Sequence, residues 1–145
     1  MVARRKLSTA SVLTLATAAA KLKAPLESVE QALFVKRVRL DPRTKGLLWC
    51  AVPNGGTRHP REAANLKRQG VVAGVPDLLF FEPTRDKTLH YRVGLAIEMK
   101  RKPNKVSPEQ REWLTGLEAR GWSTAVCYSA EEAWTTLCDY LSITP

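Results

Sequence analysis

Acid is what this chain is short of: 14 Asp and Glu stand against 23 Lys and Arg, a net charge of +9 over 145 residues. A cationic surface of this kind keeps a protein soluble and also suits a polyanion, because neutralising phosphates releases their condensed counterions. Cysteine is scarce too. Cys50, Cys127 and Cys138 are odd in number, show no CxxC or Cys/His ligand spacing and sit in apolar surroundings. That argues against structural zinc, points to a reducing, cytoplasmic setting and predicts three thiols packed in the core. The two histidines, His59 and His90, are isolated from one another. No apolar run is long enough to span a bilayer, and there is no internal repeat or low-complexity segment. What remains is one globular domain with a 44% hydrophobic share, large enough for a real core and too short for two.

The informative stretch runs from Gly74 to Lys102. Asp77 opens the apolar run Leu78-Leu79-Phe80-Phe81 after the breakers Gly74 and Pro76, and a second apolar run extends from Val93 to Met99. The polar segment Glu82-Pro83-Thr84-Arg85-Asp86-Lys87-Thr88 between them predicts a chain reversal, hence a hairpin. Residues two apart in a strand share a face, so Glu98 and Lys100 emerge side by side, with Asp77 brought near them. Two carboxylates held close either raise a pKa or require a cation between them. A hard divalent ion such as Mg²⁺ resolves that conflict while keeping several waters, and an adjacent ammonium is suited to stabilising developing charge or holding a water in line.

The rest of the chain reads as alternating elements. Residues 1–24 carry Arg4, Arg5, Lys6, Lys21 and Lys23 without an acid, around the run Ala10 to Ala20. They imitate a targeting peptide, but free thiols and metal-dependent chemistry suit export poorly, so they read as a basic arm or helix ahead of a domain spanning 25–145. Pro25 opens a helix with Leu26, Val29, Leu33 and Leu40 at helical spacing. Leu47–Val52 is a strand, and Pro60–Gln69 a short basic helix with Ala63, Ala64 and Leu66 inward, closed by Gly70. Ser107-Pro108-Glu109-Gln110 is a capping-box pattern opening a helix that carries Trp113, Leu114 and Leu117 toward the core, with Gly121 stopping it. Ser123–Tyr128 is a strand, and Ser129 caps a last helix holding Ala133, Trp134, Leu137 and Leu141. Trp49, Trp113, Trp122 and Trp134 are read as packing residues rather than base-stacking ones.

Candidate phosphate contacts fall in two places. One is the loop Asn54, Gly55, Gly56, Arg58 and His59, followed by Arg61, Lys67 and Arg68 on the short helix. The other is Arg101, Lys102 and Lys105, directly after the proposed metal site, where cations would position a backbone without reading bases.

Pro76-Asp77 with Glu98-x-Lys100 resembles the signature of PD-(D/E)xK nucleases. In order, Trp49 to Gly56, Leu66 to Asp77, Ile97 to Lys100, and Ser107-Pro108-Glu109-Gln110 with Trp113-Leu114 resemble the VRR-NUC family of virus-type nucleases, over roughly Leu26 to Leu141. The resemblance implies a restriction-endonuclease-like α/β fold, a mixed central sheet of about four strands flanked by helices. It implies an endonuclease dependent on Mg²⁺ or Mn²⁺, with Asp77, Glu98 and the Met99 carbonyl as ligands and Lys100 orienting or activating water. Glu27 matches the first-helix acid that assists the metal site, with Glu30 the rival if the register slips, and Gln110 matches a glutamine near the lysine, its competing role being capping alone. Stand-alone virus-type members resemble Holliday junction resolvases, which implies a homodimer acting on branched DNA. The alternatives are a monomeric flap or nicking nuclease, and a basic nucleic-acid-binding module with an inactive nuclease fold.

Overall fold

In a computed structural model, residues 26–54, 60–86 and 88–145 are described. The proposed arm, residues 1–24, lies outside them. The elements in chain order are α1 (Glu27–Leu40), β1 (Trp49–Ala51), α2 (Pro60–Arg68), β2 (Leu78–Phe80), β3 (Thr84–Arg85), β4 (Tyr91–Arg92), β5 (Leu95–Met99), α3 (Pro108–Glu118), β6 (Ser123–Cys127) and α4 (Ala130–Leu141). This is the α/β arrangement expected, with one addition. The segment between β2 and β5 is no simple turn: β3 and β4 form their own antiparallel pair. Asp86 closes it, its Oδ1 accepting from the Thr88 and His90 amides at 2.9 and 3.0 Å and its Oδ2 from Arg92 Nε at 3.0 Å.

The main sheet has the order β1-β2-β5-β6. β1–β2 and β2–β5 are antiparallel and β5–β6 is parallel, so α3 is the crossover that a parallel pair requires. β5 is central and buried along its whole length. Its side chains alternate: Leu95, Ile97 and Met99 join the core with Phe34 and Val38 of α1 and Trp134 and Leu137 of α4. Ala96 and Glu98 therefore point to the opposite face. Aromatic contacts fasten the sheet beneath α1, with Phe34 edge-on to Phe80 at 6.1 Å and Trp49 stacked on Phe80 at 5.7 Å.

Both capping expectations hold. Gln110 N–H donates to Ser107 Oγ at 3.2 Å while Ser107 N–H donates to Gln110 Oε1 at 2.9 Å, and Glu132 N–H donates to Ser129 Oγ at 3.1 Å. α2 ends at Gly70, φ +89°, with Val71 N–H bonded to Leu66 O and Gly70 N–H to Lys67 O, a Schellman closure.

Four expectations about burial are corrected. α1 has two apolar stripes, and the one facing the core is Phe34 and Val38; Leu26, Val29, Leu33 and Leu40 are exposed, at 46–69%. Only one of the two stripes meets α4, and periodicity cannot say which. Cys127 and Cys138 are buried, but Cys50 is exposed because β1 is an edge strand. Ala63 and Ala64 are exposed and Leu66 only half-buried, as α2 rides on the surface. Trp113 and Leu117 are half-buried rather than core residues, leaving Leu114 as the buried residue of α3.

Candidate active site

The antiparallel pairing of β2 with β5 sets Leu78 opposite Ile97. Asp77, one residue before β2, therefore meets the end of β5, and its Oδ2 accepts the Met99 amide at 2.8 Å. Glu98 and Lys100 leave that same end on one face, as a two-residue spacing requires. Lys100 Nζ lies 2.7 Å from Glu98 Oε1, and its amide donates to Cys127 O at 2.8 Å, which continues the β5–β6 ladder past the strand end. All three side chains are buried, Glu98 to within 1%.

Two neighbours complete the cluster. Gln110 Nε2 donates to Glu98 Oε1. This glutamine closes the helix cap through Oε1 and reaches Glu98 through Nε2. Glu27 Oε1 lies 3.6 Å from Lys100 Nζ. Glu30 is committed elsewhere, its Oε2 accepting the Ala130 amide at 2.6 Å and so capping α4. Of the two rival acids, Glu27 is the one that reaches the cluster.

Burial pushes the Glu98 carboxyl up from its ordinary 4.5 to about 7, opposed by the Lys100 hydrogen bond and reinforced by the charges of Asp77 and Glu27. Burial would lower Lys100, but the hydrogen bond to Glu98 and the surrounding carboxylates outweigh it and hold the ammonium above its ordinary 10.5. Lys100 is consequently a cation at neutral pH, suited to stabilising negative charge and orienting a water rather than to acting as a neutral base.

Whether these groups suit a divalent cation is decided by which oxygens the protein leaves over. Glu98 Oε1 is used by both Lys100 and Gln110, whereas Glu98 Oε2 is buried without a hydrogen-bond partner. Asp77 Oδ2 is fixed by Met99, and Oδ1 has only Asn54 Nδ2 at 3.5 Å. Each carboxylate has one oxygen anchored and another available, the arrangement that orients a ligand. A buried carboxylate oxygen without a donor is costly unless something positive meets it. Among the described residues no three His, Cys, Asp or Glu side chains form a ready cage. Two carboxylates plus a backbone carbonyl suit an ion that retains waters, as Mg²⁺ does, better than one demanding a full protein shell.

The other candidates are dispersed. Lys67 and Arg68 are exposed on α2; Lys102 and Lys105 are exposed beyond Lys100, with Lys102 Nζ 5.5 Å from the centre of the Tyr128 ring. Arg101 is half-buried between them and Lys100. Gly55, Gly56, Arg58 and His59 lie outside the described residues. Asn54 is exposed, yet its Nδ2 donates to Val75 O beside Asp77, so it braces the loop that presents the aspartate. Nothing in its sequence setting signals that task. Nor does sequence reveal Gly74, read there as a breaker: φ is +87°, and a Cβ would stand 2.5 Å from the Glu109 carbonyl carbon. Its bareness lets the Asp77 loop press against the first turn of α3, where Gln110 sits.

Comparison with known proteins agrees with this fold. A solved structure described as a VRR_NUC domain protein shares the fold with a TM-score of 0.67 at 24% identity, over 83% of this chain and 92% of that one. No curated protein matches. The VRR-NUC domain model matches residues 27–131, from the first residue of α1 into α4. With most of its length matched, the chain belongs to the VRR-NUC domain family, nuclease domains of the PD-(D/E)xK type.

Proposed function

We propose that this protein is an endodeoxyribonuclease dependent on Mg²⁺ or Mn²⁺, formed by residues 25–145, that acts as a homodimer on branched DNA and above all on four-way junctions. The observation that carries the catalytic reading is the convergence of Asp77, Glu98 and Lys100 at one end of β5, with a buried Glu98 oxygen left unbonded. Asp77, Glu98 and the Met99 carbonyl would hold the ion, with Glu27 assisting. Such an ion supplies Lewis acidity toward a phosphoryl oxygen and lowers the pKa of bound water. The chain's own groups do the rest. Lys100 presents a fixed ammonium to the developing charge on the phosphate and orients the attacking water. Gln110 and Lys100 together fix the rotamer of Glu98, and Glu27 restrains Lys100. Lys67, Arg68, Arg101, Lys102 and Lys105 position the DNA backbone.

Support for branched substrates comes from what the sequence contains. No segment resembles a helix-turn-helix or zinc-finger reader, so recognition rests on shape rather than base contacts. Opposed strands of a junction need two sites related by a twofold axis, which a homodimer provides. Purified protein incubated with labelled junction, flap and blunt duplex, in Mg²⁺ or in EDTA, tests the reading. Symmetric cuts in the junction, dependent on Mg²⁺ and preferred over the other substrates, are expected. Preferential cutting of the flap by a monomer replaces the junction reading, and no cutting of any substrate leaves a binding module.

A further inference from the structure

Trp113 was expected in the core and is not there. It belongs to no part of the buried cluster that holds Trp134, and instead lines a groove of about 700 Å³ between α3 and the segment following α2. One wall of the groove is apolar, made by Trp113 and Leu117 with Gly116 between them; Val72, 56% exposed, faces them from the other side. The groove begins at Glu109, the residue before Gln110, and Gln110 touches Glu98. It runs along the length of α3, whose first turn also carries Gln110. Its opposite rim is Lys67, which also borders the surface shared by Arg61 and Arg68. Lys67 thus lies on one rim of an apolar slot, and Arg120, just past the end of α3, stands at its far end.

We infer that this groove receives the bases of an unpaired DNA strand leading from the scissile position, stacked on Trp113, with the phosphates tracked by Lys67 and Arg68. The inference rests on the nuclease reading and deepens it by naming the strand segment that the site takes. The occupant is single-stranded because a base inside a duplex has no face to offer an indole, whereas every unpaired base does, irrespective of sequence. Glu109 and Glu112 repel phosphate from the first half of the α3 wall, so the backbone follows the Lys67 rim toward Arg120 while the bases turn inward. A flap or splayed branch carries an unpaired strand where plain duplex does not, and the slot lies along α3, the helix whose first turn reaches the catalytic cluster.

The test is equilibrium binding in EDTA of a fluorescently labelled sixteen-nucleotide thymidine oligonucleotide and of a blunt duplex of equal length. Trp113→Ala weakens single-strand binding about tenfold, in line with the loss of one stacking contact, and leaves duplex binding within about twofold. Trp113→Phe keeps most of the affinity. Gly116→Leu is the second variant and does not depend on losing a packed ring. A Cβ at Gly116 meets only Arg120 Nη1, at 3.7 Å, so the new side chain fills the slot, and leucine is the better helix former. It also weakens single-strand binding about tenfold, in a protein at least as stable. Unchanged single-strand affinity in Gly116→Leu, an equal loss on both DNAs, or no measurable single-strand binding by the unaltered protein overturns the inference; a Trp113→Ala that does not fold leaves Gly116→Leu to decide it. Cleavage by the unaltered protein and its loss in Lys100→Ala report separately on the nuclease reading, so either idea fails without taking the other with it.

Discussion

At the scale of single residues, the site is a set of groups whose charges are balanced only in part. Lys100 joins Glu98 and Glu27, so removing it leaves two carboxylates and no cation between them. Lys100→Ala is expected to reduce junction cleavage by about 10²–10³-fold or more, the scale of losing one preorganised charge-stabilising donor, while DNA affinity in EDTA changes little. Retained turnover removes Lys100 from the mechanism. Glu98 makes a second prediction through its raised pKa. A carboxyl that holds its proton up to about pH 7 when folded and loses it near 4.5 when unfolded binds more protons in the native state between those values. Metal-free protein should accordingly lose stability as pH rises from about 4.5 to about 7, by on the order of 3 kcal/mol, and no further from this group above that. Urea denaturation across this range in EDTA measures the slope, and Glu98→Gln flattens it. A slope of opposite sign, or one that survives Glu98→Gln, assigns the effect to another group.

At the scale of elements, the start of α3 joins folding to chemistry, because Gln110 uses one end of its amide for the cap and the other for Glu98. Gln110→Glu separates the two. Glutamate still completes a capping box, so thermal stability should stay within about 1 kcal/mol, but it cannot donate to Glu98 and brings a further negative charge, so cleavage should collapse. If calorimetry shows an intact fold and cleavage is unimpaired, Gln110 is a cap and nothing more. Gly74→Ala tests the neighbouring loop. The positive φ and the 2.5 Å approach to the Glu109 backbone both oppose a Cβ, and a loss on the order of 2–3 kcal/mol is expected in chemical denaturation. These two positions also show what sequence can and cannot convey. Ser107 and Gln110 are three apart and encode their own contact, as do Glu98 and Lys100, so cap and ion pair are legible in a linear string. The pairing of β2 with β5 follows from the same local patterns, whereas the places of β1 and β6 beside them do not. The face of α1 that is buried, the exposure of Cys50 and the bracing of Asp77 by Asn54 depend on partners 20 to 100 residues away, and no local period carries that information.

At the scale of the whole molecule, α1 is apolar on both sides and the domain covers one of them. Leu26, Val29, Leu33 and Leu40 form a stripe along the outside of the helix, with Glu27 and Glu30 in its first turn and Arg37 and Arg39 in its last. A surface meeting its own copy across a twofold axis must be self-complementary. Two α1 helices packed antiparallel satisfy that condition, since leucines meet leucines with the helix dipoles opposed. The same helix carries Glu27, which touches Lys100, so such pairing would hold the two active sites in a fixed relation. The proposed homodimer therefore makes a definite prediction. Leu33→Asp, at the middle of the stripe, buries a carboxylate in the pair and costs nothing in the monomer, where residue 33 is 54% exposed. Sedimentation at micromolar concentration should shift from dimer to monomer with the melting temperature of the domain nearly unchanged, and junction cuts should lose their symmetry while nicking of a single strand persists. A dimer that survives Leu33→Asp intact places the twofold interface on some other face.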